Sequence, residues 1–319
     1  MKKLISIITP VYNERDNLRD CYESVKNIFS TDLTDFDYEH IFCDNNSNDG
    51  SLEILKEIAR EDSHVKIIAN SRNFGPFRSN FNGVLNAKGD GILTFLPADL
   101  QDPPELIPEF VKKWQAGYQV IYGIRKKREE NLIMILLRKA YYRLVNKFAE
   151  FYIPPDVGEF QLIDKVVLEA LKECEDYYPY IRGMIANCGF ESIGVEYVWR
   201  ARKKGYSKNR IFSLIDQGLN GFISTTNIPL RICLLSGFAL SFLSLLYSFI
   251  QLILNIIYYR KFGPPGIATL IVALFFFSGV QLFFIGLLGE YIGAIHSQVR
   301  KRPLIIEKER INFSDDLKS

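Results

Sequence analysis

Three polar clusters, each following an apolar run, carry residue types that chemistry needs. The first is Pro10-Val11-Tyr12-Asn13-Glu14, where an aromatic ring and a carboxylate can together grip a planar base and a ribose. The second runs from Asp44 through Asn45, Asn46, Ser47, Asn48, Asp49 and Gly50 to Ser51. Asp44 can accept a hydrogen bond from a base N–H, whereas Asp49 and Ser51 suit the N-cap of a following helix. The third is Pro97-Ala98-Asp99-Leu100-Gln101-Asp102-Pro103-Pro104-Glu105. Here Asp99 and Gln101 set a carboxylate and an amide oxygen two residues apart. That donor set suits one hard divalent cation, Mg2+ or Mn2+, and leaves coordination positions for phosphate oxygens and water. Asp102, just ahead of Pro103-Pro104, reads as the cap of the next helix.

Other chemistries lack their residues. Five cysteines, an odd number with no C-x-x-C pair, argue against a disulfide framework or a structural zinc site. His40, His64 and His296 show no metal-ligand spacing, and neither G-x-G-x-x-G after the first strand nor G-x-x-x-x-G-K-[ST] occurs. Lys and Arg total 39 against 37 Asp and Glu, a net charge of +2, which points away from nucleic acid as a partner. With 24% charged and 48% hydrophobic residues, a disordered chain is excluded.

The clusters must be positioned by the elements around them. Strand-like runs at 4–9, 39–43, 65–69, 91–96 and 119–123 alternate with helical patterns at 14–28, 51–60, 77–86 and 106–116. This βαβα order predicts an α/β fold with a mostly parallel sheet covered on both faces, whose ligands bind beyond the C-terminal strand ends. The polar clusters sit at those ends.

Beyond Pro229 the composition changes. No charged residue occurs from Ile232 to Ile257 or from Phe262 to Gly289, and each run is long enough to cross a hydrocarbon core about 30 Å thick. The link between them, with Arg260, Lys261 and Gly263-Pro264-Pro265-Gly266, is short, so the pair reads as a transmembrane hairpin. Basic residues such as Arg200, Lys203 and Arg210 precede it and Arg300, Lys301 and Arg302 follow it. Positive-inside bias places the N-terminal domain and the tail in the cytoplasm, with the hairpin in the inner membrane as a multi-pass anchor. Residues 211–223 carry apolar side chains at helical spacing and read as an amphipathic helix in the headgroup layer. The expected organisation is a catalytic domain at 1–205, an interfacial segment at 206–228, the hairpin at 229–292 and a tail at 293–319.

Further motifs extend the pattern: Ser71-Arg72-Asn73-Phe74-Gly75, Gly123-Ile124-Arg125, Asp156-Val157-Gly158-Glu159-Phe160-Gln161-Leu162, Arg182-Gly183, and Arg202 followed by Gly205-Tyr206-Ser207-Lys208. Gly289-Glu290-Tyr291-Ile292-Gly293 then precedes Arg302-Pro303. In this order, with the hairpin, the chain resembles glycosyltransferase family 2, with its GT-A fold, and within it the polyprenyl-phosphate branch that includes dolichol-phosphate mannose synthase and bacterial GtrB-type enzymes. The resemblance implies inverting transfer of a sugar from a UDP- or GDP-linked donor to a membrane polyprenyl phosphate, undecaprenyl phosphate in a bacterium. It implies nucleotide-sugar contacts at Pro10, Tyr12, Glu14, Asp44, Asn73, Ala98, Asp99 and Arg125. It further implies a metal at Asp99 and Gln101, acceptor-phosphate contacts at Arg138, Lys139, Arg202 and Lys208, and catalytic roles for Asp99 and Glu159.

Three positions depart from that pattern. Pro97 stands where the family has the first Asp of Asp-x-Asp, Asn45 where it has a second acid, and Glu159-Phe160-Gln161 where it has Asp-Phe-Arg. These losses motivate an alternative, a catalytically silent membrane scaffold that keeps the fold. A processive polysaccharide synthase would need more spans and a Q-x-x-R-W motif, neither of which the sequence contains. Polar Gln251, Asn255, Ser278 and Gln281 within the hairpin could pack against another copy, giving a homo-oligomer.

Overall fold

The computed structural model describes residues 2–125, 154, 157–174, 176–177, 179–200, 228–257, 267–300 and 302–313. They fall into two compact units, residues 1–224 with 302–319, and residues 225–301.

In the first unit the chain runs β1 (Lys3–Val11), α1 (Leu18–Thr31), β2 (Phe36–Asp44), α2 (Ser51–Glu61), β3 (Val65–Asn70), α3 (Pro76–Leu85) and β4 (Gly91–Leu93). A 3-10 turn (Pro104–Leu106) leads into α4 (Ile107–Gln115) and β5 (Val120–Arg125). After the segment outside the described residues come β6 (Val157–Asp164), α5 (Lys165–Lys172), α6 (Ile181–Asn187), β7 (Ser192–Tyr197) and, after residue 301, β8 (Glu307–Ile311). The described strands form one sheet in the order β7-β5-β6-β4-β1-β2-β3-β8.

The parallel sheet expected from the βαβα pattern is its middle, β4-β1-β2-β3. β1 and β2 are buried on both faces, as central parallel strands must be, which explains their unbroken apolar runs. Antiparallel pairs enter on either side: β6 lies between β4 and β5, and β8 closes the outer edge of β3. β8 was not anticipated, because residues 307–311 read Glu-Lys-Glu-Arg-Ile and carry no apolar alternation. The strand forms because β3 offers an open edge. Ile311, Arg310, Glu309 and Glu307 pair along it, and Asn312 Nδ2 donates to the carbonyls of Ala59 and Val65.

Helices cover both faces. Leu18, Cys21, Val25, Leu55, Ile58 and Phe110 recur at helical spacing on α1, α2 and α4 and pack one face. α3, α5 and α6 pack the other through Phe81, Val84, Val167, Leu168, Ile181 and Ile185. Complete burial of such a side chain contributes about 1.5–3 kcal/mol. Gly83 lets α3 approach closely: a Cβ there would lie 2.5 Å from Cys43 Sγ and 2.7 Å from an Ile8 methyl. β1 and β2 run longer than expected, whereas β4 and the start of α1 fall short. β4 is shorter than 91–96, although Leu96 N–H still donates to Ile8 O at 2.7 Å. α1 begins at Leu18 because Asn13 takes φ 55° and residues 14–17 close a turn, Asn17 N–H to Glu14 O, at 2.9 Å.

The second unit holds α7 (Ile228–Ile257) and α8 (Ile267–Val299). Large apolar side chains on both stand bare, including Leu235, Phe238, Leu282 and Phe283. Among the described residues one stretch, Phe277–His296, is both long and apolar enough to cross a bilayer.

Candidate functional site

The order β3-β2-β1-β4 makes a topological switch point between β1 and β4, where successive connections leave in opposite directions and a crevice opens at the carboxyl ends of the strands. All three polar clusters belong to this rim. The first two are stitched into one surface. Asn13 N–H donates to Ser47 Oγ at 2.9 Å, and Asn48 N–H donates to Asn13 Oδ1 at 2.9 Å. Glu14 N–H donates to Ser51 Oγ, and Arg15 N–H to Asp49 Oδ2. Glu14 Oε2 accepts from Asn17 Nδ2, while Tyr12 stands exposed.

Asp44 ends β2 and is buried. Its Oδ2 accepts from Ser47 N–H at 3.2 Å, and its Oδ1 is buried without a partner. Burial pushes this carboxyl above the ordinary aspartate range, against hydrogen bonds from Ser47 and Asn46 that favour the charged form. An orphaned acceptor at a strand end is a place for a ligand N–H. Asp49 plays the capping part expected of it from one residue earlier. Gly50 is the N-cap of α2, and Asp49 Oδ1 accepts from both the N–H and the Oγ of Ser51. Burial opposes its ionisation, yet these bonds and the one from Arg15 hold its carboxyl below the ordinary range.

Asn45 organises the neighbouring loop, a role the sequence did not disclose. Its Oδ1 accepts from Phe74 N–H at 2.9 Å and Asn70 Nδ2 at 3.1 Å, and its Nδ2 donates to Asn73 Oδ1 at 2.8 Å. Asn73 Oδ1 also accepts from Gly75 N–H, and Gly75, at φ 89°, turns the chain into Pro76 at the start of α3. Asn73, expected at the donor, is thus held by Asn45.

Ala98 and Asp99 are buried in the third cluster, and Asp99 Oδ1 accepts from Gln101 N–H at 3.2 Å. Gln101 Nε2 donates to Arg200 O at 3.3 Å. Among the described residues no three His, Cys, Asp or Glu side chains gather as a metal cage. The oxygen donors present, one carboxylate and one amide, fit a hard cation that is completed by the phosphates of its substrate. Asp102 is not a helix cap. The N-cap of the 3-10 turn is Pro103, with no side-chain cap, and Asp102 instead accepts from Arg125 and Tyr197 in the interior. Its burial, at 1% exposure, demands a cation, and β5 supplies one.

Glu159 projects from β6 and is largely buried. Its Oε1 lies 3.8 Å from Arg182 Nε, and its Oε2 is buried without a partner. Burial pushes its carboxyl up, against the pull of Arg182 and Arg125. Arg182, on α6, is pinned by donating from Nε to Tyr180 Oη and from Nη1 to Val157 O. Gln161, where the family pattern has arginine, is buried and donates to Gly158 O. The expected acceptor-phosphate residues Arg138, Lys139, Arg202 and Lys208 lie outside the described residues.

A three-layer α/β unit with acidic and amide side chains around the switch-point crevice is the arrangement of a GT-A fold. The Glycosyl transferase family 2 profile matches residues 6–171, and the GtrB C-terminal hairpin profile matches residues 228–295. The chain belongs to glycosyl transferase family 2. It is 36% identical over 302 residues to the uncharacterized glycosyltransferase YkcC of Bacillus subtilis, covering 94% of this chain and 92% of that one. It is 33% identical over 308 residues to the SfII prophage-derived bactoprenol glucosyl transferase of Shigella flexneri, covering 96% and 97%. The prophage bactoprenol glucosyl transferase homolog of Escherichia coli K12 is 31% identical over 305 residues, covering 95% and 98%.

Proposed function

We propose that this glycosyltransferase moves a sugar from a nucleotide-sugar to a membrane polyprenyl phosphate. The observation that carries the reading is one continuous match. A family 2 domain and the GtrB hairpin occur together, and relatives aligned along almost the whole chain bear the name bactoprenol glucosyl transferase. Asp44, with its orphaned oxygen, is the acceptor for the base. Tyr12, Glu14 and Asn73 frame the nucleoside, and Asp99 and Gln101 would hold a divalent cation that neutralises the donor's diphosphate.

The chemistry asks little of a base. An oxygen of the lipid phosphate, already anionic, forms a bond to the anomeric carbon as the bond from that carbon to the diphosphate oxygen breaks. The nucleoside diphosphate leaves, and attack from the opposite face inverts the centre. A bound Mg2+ or Mn2+ would supply charge neutralisation for the leaving diphosphate. Asp99 and Gln101 orient that end of the donor, and Glu159 faces the reacting region as the residue whose charge responds to pH. A silent scaffold is the weaker reading. Burying the Asp44 and Glu159 carboxyls with orphaned oxygens costs stability, and only a ligand or a reaction gives that cost a purpose.

The membrane assignment follows from connectivity. Residues before 225 and after 301 belong to one compact unit, which supports an intervening segment that leaves and re-enters on one side of a bilayer. Two crossings fit that reading, and the excess of basic residues in the flanks favours the cytoplasm as that side. The test is to incubate the purified protein with UDP- and GDP-sugars, Mn2+ and undecaprenyl phosphate, and to follow the mass of the lipid and nucleotide release. Lipid gaining one sugar is expected; no lipid product and no nucleotide release with any donor overturns the reading. Asp99→Asn should abolish that turnover and metal-dependent UDP binding while leaving the thermal transition unchanged.

A further inference from the structure

Arg125 was expected at the phosphates, yet its guanidinium is engaged elsewhere. Its Nη2 lies 3.1 and 3.0 Å from the two Asp102 oxygens, and its Nε donates to Tyr197 Oη at 3.0 Å. Tyr197 Oη in turn donates to Asp102 Oδ1, closing a three-membered ring of bonds. Arg125 and Tyr197 are register partners at the ends of parallel β5 and β7, so the sheet itself presents both to Asp102. The Arg125 guanidinium lies 5.5 Å from the centre of the Trp199 ring. Room for it depends on Gly158, where a Cβ would fall 3.0 Å from Nη2.

The residue that receives these bonds lies one position past Gln101. Gln101 is itself tied to the same stretch of chain. Arg200 N–H donates to Gln101 O at 3.0 Å, and Gln101 Nε2 donates to Arg200 O. Arg200 Nη1 also reaches Glu105 at 3.1 Å. Thus the segment 97–105, which carries Asp99 and Gln101, is bonded at Asp102 to the ends of β5 and β7 and at Gln101 and Glu105 to Arg200 just beyond β7. Its local bonds among the described residues include Leu100 N–H to Pro97 O and Gln101 N–H to Asp99 Oδ1. Leu100 holds φ 55°, a left-handed conformation that a leucine keeps only when its surroundings impose it.

We infer that Asp102, Arg125 and Tyr197 form a buried strut that holds the Asp99–Gln101 loop in its metal-receiving conformation, so that Arg125 is a positioning residue acting through Asp102 instead of a ligand of a substrate phosphate. The inference rests on the proposed metal role of Asp99 and Gln101. It accounts for how a loop with Pro97 in place of an acid keeps a site: what it lacks in charge is offset by rigidity, because outer partners set the geometry of the ligating groups.

The test is a double-mutant cycle on the full-length protein with Asp102→Asn and Arg125→Met, read in three ways. Backbone amide exchange of residues 97–105 without ligand reports the strut alone. Calorimetry of UDP with Mn2+ and of UDP in EDTA separates metal-dependent from metal-independent binding. The strut predicts faster exchange in both single variants, an apparent Mn2+ affinity lowered about 10–100-fold with UDP bound, and UDP binding in EDTA unchanged. It also predicts that the double variant is no worse than either single one, because each single change already removes the interaction. Tyr197→Phe keeps the charges paired and serves where a single variant fails to fold. It should give the same pattern in weaker form. If Arg125→Met weakens UDP binding in EDTA while Asp102→Asn does not, or if the two losses add, the strut is overturned and Arg125 is a phosphate ligand. Unchanged exchange in every variant also overturns it. A wild-type protein that binds no nucleotide would instead count against the proposed function, with the exchange measurement still deciding on the strut.

Discussion

At the scale of single residues, the position where the family pattern leads one to expect an acid shows how an amide can be indispensable. The backbone N–H of Phe74 can only donate, so it fixes Asn45 Oδ1 and directs Nδ2 toward Asn73, whose Oδ1 is fixed in the same way by Gly75 N–H. A carboxylate could not donate to Asn73. Were Asn73 to flip and donate instead, Gly75 N–H would lose its acceptor. Asn45→Asp should therefore cost about 1–3 kcal/mol in a denaturation experiment and raise the donor KM more than it lowers kcat. Glu159 poses a different question. Its carboxyl is pushed above the ordinary glutamate range, so it takes up a proton at a higher pH than an exposed glutamate. Activity that needs the carboxylate is present above that raised value and is lost as pH falls through it. Glu159→Gln should lower kcat and remove the acidic limb of the pH–rate profile; a limb that survives would belong to another group.

At the scale of elements, β8 shows how the chain beyond the hairpin serves the sheet. β3 would otherwise end the sheet as an open edge with unpaired N–H and C=O groups. β8 pairs with it, Ser71 N–H donates to Ile306 O at the mouth of the 71–75 loop, and Lys56 meets Glu309 across the surface. Asn312, at φ 61°, satisfies two carbonyls with one amide. Asn312→Ala should lower stability by about 1–3 kcal/mol, read as a fall in Tm of the detergent-solubilised protein. Its donor KM should rise as the 71–75 loop loses its neighbour. A change in Tm with an unaltered KM would confine β8 to an edge-covering role.

At the scale of the whole molecule, residues on both sides of the 225–301 segment belong to one compact unit, and the proposed function puts that unit on the cytoplasmic side, where basic flanks are favoured. Cys174, exposed in the first unit, provides a reporter for that side. In a variant whose other cysteines are removed, Lys261→Cys should react with a membrane-impermeant maleimide added outside intact spheroplasts. Cys174 should react only after lysis. Labelling of both, or of neither, before lysis would rule out the two-crossing arrangement.

The sequence by itself determined what is local and periodic. The apolar runs of β1, β2 and β3 and the helical spacing of α1, α2 and α4 were legible because each reports burial of its own neighbours, and the long uncharged stretches within α7 and α8 were legible by composition alone. The rim clusters were legible too, since polar residues at strand ends of an α/β sheet have few other uses. Only the tertiary structure decided partners drawn from far along the chain. Asp102 meets Tyr197, Asn45 meets Asn73, Glu159 meets Arg182 and β3 meets β8. A residue's type states what it can bond, but whether a carboxylate caps the next helix or balances an arginine two strands away depends on where the folded backbone brings a cation and excludes water.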